Sequence, residues 1–405
     1  MSYPNKPKLR NINVERTVYQ GEPVFFLQDR LKLTEAGIVL PQALGPVAML
    51  CDGQHTVSEM EQALAQEYGL QLPRNSIEHL LDQFDHALLL EGSTFNQAKE
   101  KAIEQFRAAP FRKSTLAGPS YPADPDKLRQ LLQSYLDNVE QTPSSTKQSR
   151  GIISPHIDYP RGGHVYAGVW ANAAEAIREA ELVVLFGTDH NGGLGTLTLT
   201  PQNYATPLGI MPTDTDLVNR LAETLGPETV FAEELHHRDE WSIELVLVWL
   251  QYLRKEKPCA FLPILCGSFH HIMMGQATID DEPQFEAFLD ILRAEMKQRR
   301  TVIVASGDLA HMGPAFDGSP LNTADYDQMV VDDAALMKAV GQGDAKAFLE
   351  FMQGKPYERN VCGLSPFYFT LNLLGESYGQ TLSYDRCPAD HQDTSFVSVC
   401  GMTLE

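Results

Sequence analysis

Gly151–Gly163, read as GIISPHIDYPRGG, is the stretch that decides the fold. Ile152 and Ile153 form a short β-branched run that stops at Ser154-Pro155. His156, Asp158 and Tyr159 follow, in what reads as a glycine-rich loop. Open α/β sheets present ligand-binding groups in this way, at the carboxyl ends of their strands. Two later stretches repeat the arrangement. Leu182–Gly187 (LVVLFG) runs into a loop carrying Asp189 and His190, and Thr301–Ala305 (TVIVA) runs into one carrying Asp308 and His311. A single histidine in a polar loop is ordinarily just solvated. Three at the same station predict one shared site, because parallel strands set their carboxyl ends side by side.

Composition narrows the functional classes. A chain of 405 residues exceeds the usual single core, so two domains are expected. The net charge of −21 disfavours nucleic acid, whose phosphates need a basic footprint. No apolar run approaches the ~18 residues of a membrane span. Met1–Arg16 lacks the apolar core of a secretory signal. The six cysteines, at 51, 259, 266, 362, 387 and 400, form no CxxC pair and no disulfide framework. A reducing cytoplasm is the expected compartment, and most of these cysteines are expected to act as small apolar fillers.

Residues 1–95 read as a small α+β winged-helix unit. Two strands are expected within 18–26 and 31–40. Thr56-Val57-Ser58-Glu59 is a capping box that starts a helix with Val57, Met60, Leu64 and Tyr68 on one face, ended by Gly69. Ile77, Leu80, Leu81, Phe84 and Leu88 mark a second helix. Leu44–Gly69 (LGPVAMLCDGQHTVSEMEQALAQEYG), the helix after it and the LLLEG at 88–92 resemble PqqD-like domains, the peptide-binding modules of peptide-modification pathways. That resemblance implies a reader that adds a peptide strand to its sheet edge. With 7 Lys and Arg against 12 Asp and Glu, residues 1–95 are a poor match for DNA.

A linker helix is expected over 96–111 and a second domain over 112–405. Its pattern alternates strands near 151–154, 182–187, 195–200, 260–266, 301–306 and 395–400 with helices near 164–178, 214–224, 240–254, 282–298, 324–340, 344–353 and 363–375. This predicts an open mixed or parallel α/β sheet with helices on both faces. The segment from Trp241 to Leu253 is apolar almost all round and should be deeply buried. Thr142–Ser149 reads as a polar loop without periodicity. His236-His237 and His270-His271 read as surface loop residues.

Seven segments of the second domain occur in the order of the Memo family, also known in bacteria as AmmeMemoRadiSam system protein B. They are LAGPSYPADPDKL (116–128), IISPHIDY (152–159), LFGTDHNGG (185–193), YATPLGIMPTD (204–214), DEWSIELVLVWLQYL (239–253), VASGDLAHMG (304–313) and NVCGLSPFYF (360–369). The chain departs from the family where Glu-His-Ser reads Glu240-Trp241-Ser242 and where Ile157-Asp158 replaces Ala-Gly.

The resemblance implies a fold like that of class III extradiol dioxygenases, which hold non-haem Fe(II) with two His and a carboxylate. In Memo proteins the comparable pocket has two His and a Cys. On matching positions these are His156, His190 and Cys362, ligands for one transition metal, Fe(II) or Cu, with Zn possible. Imidazole and thiolate suit these ions. A helix start after Gly363 would favour the Cys362 thiolate. His311 is the expected general acid or base, with Asp308 orienting its ring or binding substrate. Asp158, Tyr159, Asp189 and Glu240 are expected around the ligands or in the pocket wall. A metal-dependent, dioxygenase-like oxidoreductase acting on a peptide or small molecule is the leading expectation, with a radical SAM partner implied by the family. A zinc-dependent hydrolase and a non-catalytic peptide adaptor are the alternatives.

Overall fold

The computed structural model describes residues 3–139, 149–255, 257, 259–353 and 359–405. All but Ser149 of the loop expected at 142–149 lies outside them. The chain divides into two compact units, Met1–Ala108 and Ala109–Glu405.

The first unit opens with β1 (Asn13–Tyr19), β2 (Glu22–Gln28) and β3 (Gly37–Pro41), an antiparallel sheet in that order. Helices α1 (Gly45–Met49), α2 (Val57–Glu67), α3 (Arg74–His86) and α4 (Ser93–Ala108) follow. A strand running through 18–26 is a misreading. Gln20 and Gly21 both have positive φ, 52° and 85°, so the chain reverses there in a two-residue hairpin whose twist matches its strands. The expected linker helix is α4, beginning and ending three residues earlier than 96–111. Thr56 and Glu59 form the capping box of α2. The core joins Met60, Leu64, Ile77, Leu81 and Phe84 to Leu27 and Leu40 of the sheet. All of β1 is exposed, and it is an edge strand.

The second unit runs α5 (Pro125–Leu136), β4 (Gly151–Ser154), α6 (Tyr159–Glu179), β5 (Leu182–Thr188), β6 (Leu197–Leu199), β7 (Tyr204–Thr206), β8 (Gly209–Met211), α7 (Thr215–Leu225), α8 (Pro227–Val230), α9 (His236–Asp239) and α10 (Ser242–Arg254). Then come β9 (Ala260–Cys266), α11 (His270–Met273), α12 (Pro283–Met296), β10 (Thr301–Ser306), β11 (His311–Met312), α13 (Thr323–Gly341), α14 (Ala345–Gln353), α15 (Leu364–Leu374), β12 (Gly379–Pro388) and β13 (Phe396–Leu404). The main sheet has the order β11-β13-β4-β10-β5-β9-β6, with β12 paired to β13. Strands β4, β10, β5 and β9 are mutually parallel, while β13 and β6 run antiparallel at the flanks. One face is covered by α5, α6 and α10, the other by α7, α12, α13, α14 and α15. The α/β class with helices on both faces is therefore as expected.

The parallel strands are buried along both faces, which explains their unbroken apolar runs. Helix α10 is buried at every position but Tyr252, each fully buried Leu, Ile or Val contributing ~1.5–3 kcal/mol. Strand β12 was not expected: GQTLSYDRCP is mostly half-buried and polar, and only pairing with β13 makes it a strand. Helix α6 begins at Tyr159, so Gly162 and Gly163 are helical and not a loop. A Cβ on Gly163 would lie 2.3 Å from the Tyr135 ring, so glycine here serves close approach of α5.

Candidate metal centre

The three histidine loops leave the carboxyl ends of β4, β5 and β10, which are neighbours in the sheet. Cys362 reaches them from the segment before α15. Gly307 and Gly363 allow this approach, because a Cβ on Gly307 would lie 2.3 Å from the Gly363 Cα. The Asp308 amide donates to Cys362 Sγ at 3.2 Å. One donor atom each from His156, His190 and Cys362 lies within 4.8 Å of the others, and His156 Nε2 is 3.2 Å from Sγ. Asp308, His311 and Cys362 form a second trio by the same measure, sharing the cysteine.

Hydrogen bonds set the imidazole tautomers. The Ser306 hydroxyl donates to the Ser242 carbonyl at 2.6 Å, so it accepts from His156 Nδ1–H at 3.4 Å. His156 Nε2 therefore turns its lone pair to Cys362. Glu240 accepts from His190 Nδ1 at 3.1 Å and also from the backbone amides of His190, Trp241 and Ser242. That puts the lone pair of His190 on Nε2, and a carboxylate–histidine pair of this kind is also common at metal sites. His311 Nδ1 faces two carbonyls, Asn360 at 3.1 Å and Leu309 at 3.3 Å, so its proton sits there and Nε2 carries the lone pair.

Burial dominates the electrostatics. It pulls His156 down to about 3, helped by His190. It pulls His311 down to about 4 against the attraction of Asp308. Burial also opposes a charge on His190, yet Glu240 outweighs it and the imidazole is raised. Glu240 is held at about 2: burial works to raise it, and His190 with the amide donors overcomes that. Cys362 corrects an expectation. Burial and then Asp308 push its thiol well above the ordinary value, and position ahead of α15 does not reverse this. A bound cation would favour the thiolate.

Glu240 is hydrogen-bonded to the His190 ring. Asp308 accepts the His156 amide at 2.8 Å, and His311 is oriented by carbonyls. Asp189 is buried and accepts from His236 Nδ1 at 2.8 Å, beside but not bonded to the His190 ring. Asp158 caps α6 and pairs with Arg161, with no hydrogen bond to His156, His190 or Cys362. Tyr159 is not in the pocket wall; it is fully buried and its hydroxyl donates to the Leu245 carbonyl. The histidine pairs expected on the surface are mostly inside. His237 is fully buried between the Tyr204 hydroxyl and the Thr198 carbonyl, His236 holds Asp189, and His271 meets Glu282. Their partners lie far off in sequence, so adjacency gave no sign of them.

His156, His190, Asp308, His311 and Cys362 border a cavity of about 950 Å³, together with Asp158, Trp241 and Phe316. Trp241 stacks on His190 at 4.4 Å and 15°, and Phe316 meets His311 edge-on at 5.1 Å. A smaller cavity of about 390 Å³ borders His190 and Cys362 among residues that include Phe269, Met273 and Met352. Ser306, Asn360 and Phe316 were not anticipated. Asn360 acts through a backbone carbonyl, for which no side-chain signal exists.

These features define an α/β protein with a two-histidine, one-cysteine donor set at the strand ends of a mixed sheet. The chain belongs to the Memo family: the family model described as Memo-like protein matches residues 112–403. It is similar to a MEMO1 family protein of Methanopyrus kandleri, 28% identical over 285 residues that cover 67% of this chain and 91% of the relative. A MEMO1 family protein of Aquifex aeolicus is 25% identical over 407 residues, covering 98% of this chain and all of that protein. One from Thermus thermophilus is 25% identical over 330 residues, 81% of this chain and 93% of its own length. The Aquifex alignment extends across the first unit as well. Among the described residues no helix is long and apolar enough to cross a membrane.

Proposed function

We propose that the second unit is a metal-dependent oxidoreductase whose centre is held by His156, His190 and Cys362. The observation that carries this reading is the convergence of two tautomer-set imidazoles and one thiol within 4.8 Å at the wall of a 950 Å³ cavity. The donor set fits Fe, Cu or Zn, and the resemblance to the family is what favours Fe(II) or Cu. When bound, such an ion supplies Lewis acidity and one-electron redox capacity. The chain's own residues do the rest. Glu240 orients His190, Ser306 orients His156, and the Asp308 amide favours the thiolate. His311, neutral at pH 7, offers Nε2 as a proton acceptor beside them. Elemental analysis of protein purified without oxygen tests the reading. Stoichiometric Fe or Cu with oxygen uptake supports it; full Zn occupancy with no redox response replaces it with the hydrolase.

His311→Gln separates chemistry from binding. The variant should keep its metal and lose roughly 10²–10⁴-fold in turnover, the usual worth of a general acid or base. Metal content and oxygen consumption by the metal-loaded protein are the two measurements. Loss of metal along with activity would make His311 a ligand instead.

The first unit is proposed as the peptide reader, through the exposed edge of β1. A chain starting at Ala109 should keep its metal but bind an extended peptide at least tenfold more weakly than the full chain, because tethering holds a captured peptide near the cavity. Calorimetry on both chains decides this, and equal affinities would leave the first unit without that role.

A further inference from the structure

We infer that Asp333, on helix α13, is a positioning residue for the metal centre: one buried carboxylate that holds the loop bearing His311 and the segment bearing Cys362 in register. The inference rests on reading His156, His190 and Cys362 as a metal centre, and it adds to that reading what fixes the thiol and the general base relative to each other.

The surroundings of Asp333 are the first observation. It is fully buried, and an ionised carboxylate is expensive to bury unless donors meet it. Three do. Arg359 forms a close ion pair with Oδ1, the Tyr384 hydroxyl of β12 donates to Oδ2 at 2.9 Å, and the Ser398 hydroxyl of β13 is hydrogen-bonded to the same side chain. Arg359 is itself buried, and its other terminal nitrogen, Nη1, meets Asp332 at 3.0 Å. Well-packed apolar residues of similar volume often replace such a pair without loss of stability. What the pair adds is geometry, because the guanidinium presents its donors as a rigid planar fork.

The second observation is where Arg359 leads. Asn360 follows it with φ of 45°, a left-handed conformation that Asn tolerates. The Asn360 carbonyl accepts from His311 Nδ1 at 3.1 Å, and its side-chain amide donates to the His311 carbonyl at 3.4 Å. Two residues further on, Cys362 Sγ accepts the Asp308 amide at 3.2 Å, and the Gly363 amide donates to the Asp308 carbonyl at 3.1 Å. Arg359 thus leads directly into the segment that orients His311 and delivers the thiol.

The third observation is where Ser398 leads. Its amide donates to the Ala310 carbonyl at 2.9 Å, and its carbonyl accepts from the Leu309 amide at 2.8 Å. Its hydroxyl oxygen accepts from the Ala310 amide at 2.9 Å, which leaves the hydroxyl proton for Asp333. The loop that carries Asp308 and His311 is therefore held from Ser398, and the segment that carries Cys362 is held from Arg359. Both holds end on one carboxylate. Asp333 acts on the centre through these two residues.

The test compares Asp333→Asn and Arg359→Lys with wild type in the full chain. Leu221→Ala, at a fully buried position of α7 in neither arm, controls for general loss of stability. The probe is Co(II), added anaerobically to metal-free protein and followed through the thiolate-to-Co(II) charge-transfer band. Asp333→Asn should weaken the band and lower Co(II) affinity about 10–100-fold, the usual effect of removing a group that supports ligands. Arg359→Lys keeps the charge but loses the planar fork, so its loss should be smaller, about three- to tenfold. A second readout needs no metal. Cys362 is the one cysteine that is not buried, so its iodoacetamide labelling rate relative to that of Cys266, read by mass spectrometry, should rise at least about fivefold in Asp333→Asn as the segment opens locally. Leu221→Ala should lower the Tm and leave both the band and the labelling ratio as in wild type. A wild-type band and ratio in both Asp333→Asn and Arg359→Lys would overturn the inference, and so would equal changes in Leu221→Ala. The lysine variant decides alone where the asparagine variant does not fold. The metal reading fails separately: wild-type protein with no thiolate band at stoichiometric Co(II) refutes the metal centre, and the labelling ratio then decides the role of Asp333 by itself.

Discussion

Cys362→Ala should strip the second unit of its metal and leave its fold in place. The thiol is part of both donor trios, it lies 3.2 Å from His156 Nε2, and it sits on a segment ahead of α15, outside the buried apolar cluster beside it. Removing it takes away the one soft donor, and the two imidazoles that remain make a much weaker site. The apparent dissociation constant for Fe(II) or Cu should rise by more than ~100-fold, since even removal of a group that only supports a ligand costs 10–100-fold. Glu240→Gln supplies that smaller effect. It leaves an acceptor for His190 Nδ1 but removes the charge that orients it, so affinity should fall by about 10–100-fold. Anaerobic metal titration with plasma emission analysis measures both, and unchanged circular dichroism establishes that the fold survived. Full occupancy in Cys362→Ala would remove this residue from the centre.

Arg112→Met should produce a large loss of stability in the second unit. Arg112 is buried at its beginning and donates to Glu244 and to the carbonyls of His237 and Glu240. Glu244 in turn accepts from the Thr115 and Leu116 amides and, at 2.6 Å, from the Tyr121 hydroxyl. This network ties the segment at 112–121 to α10 and to the turn that holds Glu240 under His190. Removing one partner of a buried ion pair leaves the other charge unmatched and costs about 3–5 kcal/mol. The Tm should drop accordingly, and metal affinity should weaken as Glu240 loosens. The pH dependence has a definite sign. Burial alone would raise Glu244, but Arg112 and the donors around it hold it below its ordinary value. A carboxylate depressed on folding contributes stability that is fully present above its unfolded pKa of about 4.3 and is lost as pH falls through its folded value. Wild-type protein should therefore lose stability on acidification below about pH 4, and Glu244→Gln should start lower and lack that part of the slope. Thermal melts of both proteins from pH 7 to 3 check it; parallel curves would show that Glu244 does not carry the dependence.

Much of this protein was legible along the chain. Unbroken β-branched runs such as Val183-Val184-Leu185 mark strands buried on both faces, and buried parallel strands require helices on both sides. The loops that follow them had to share one edge of the sheet, so His156, His190, Asp308 and His311 could be grouped before any geometry was known. Capping and periodicity placed α2, because those signals act within one helical turn.

Tertiary structure alone decided the rest. Whether Asp308 serves His156 or His311 depends on which amide its carboxylate meets across two loops, and that is set by sheet pairing. The buried roles of His236, His237 and His271 depend on partners 47, 39 and 11 residues away. The state of Cys362 depends on burial, which outweighs any local helix effect. Local sequence encodes which element a residue joins, because backbone preference and apolar period act over a few residues. Charge state and hydrogen-bond partners come from groups brought together by folding, where low dielectric magnifies every contact.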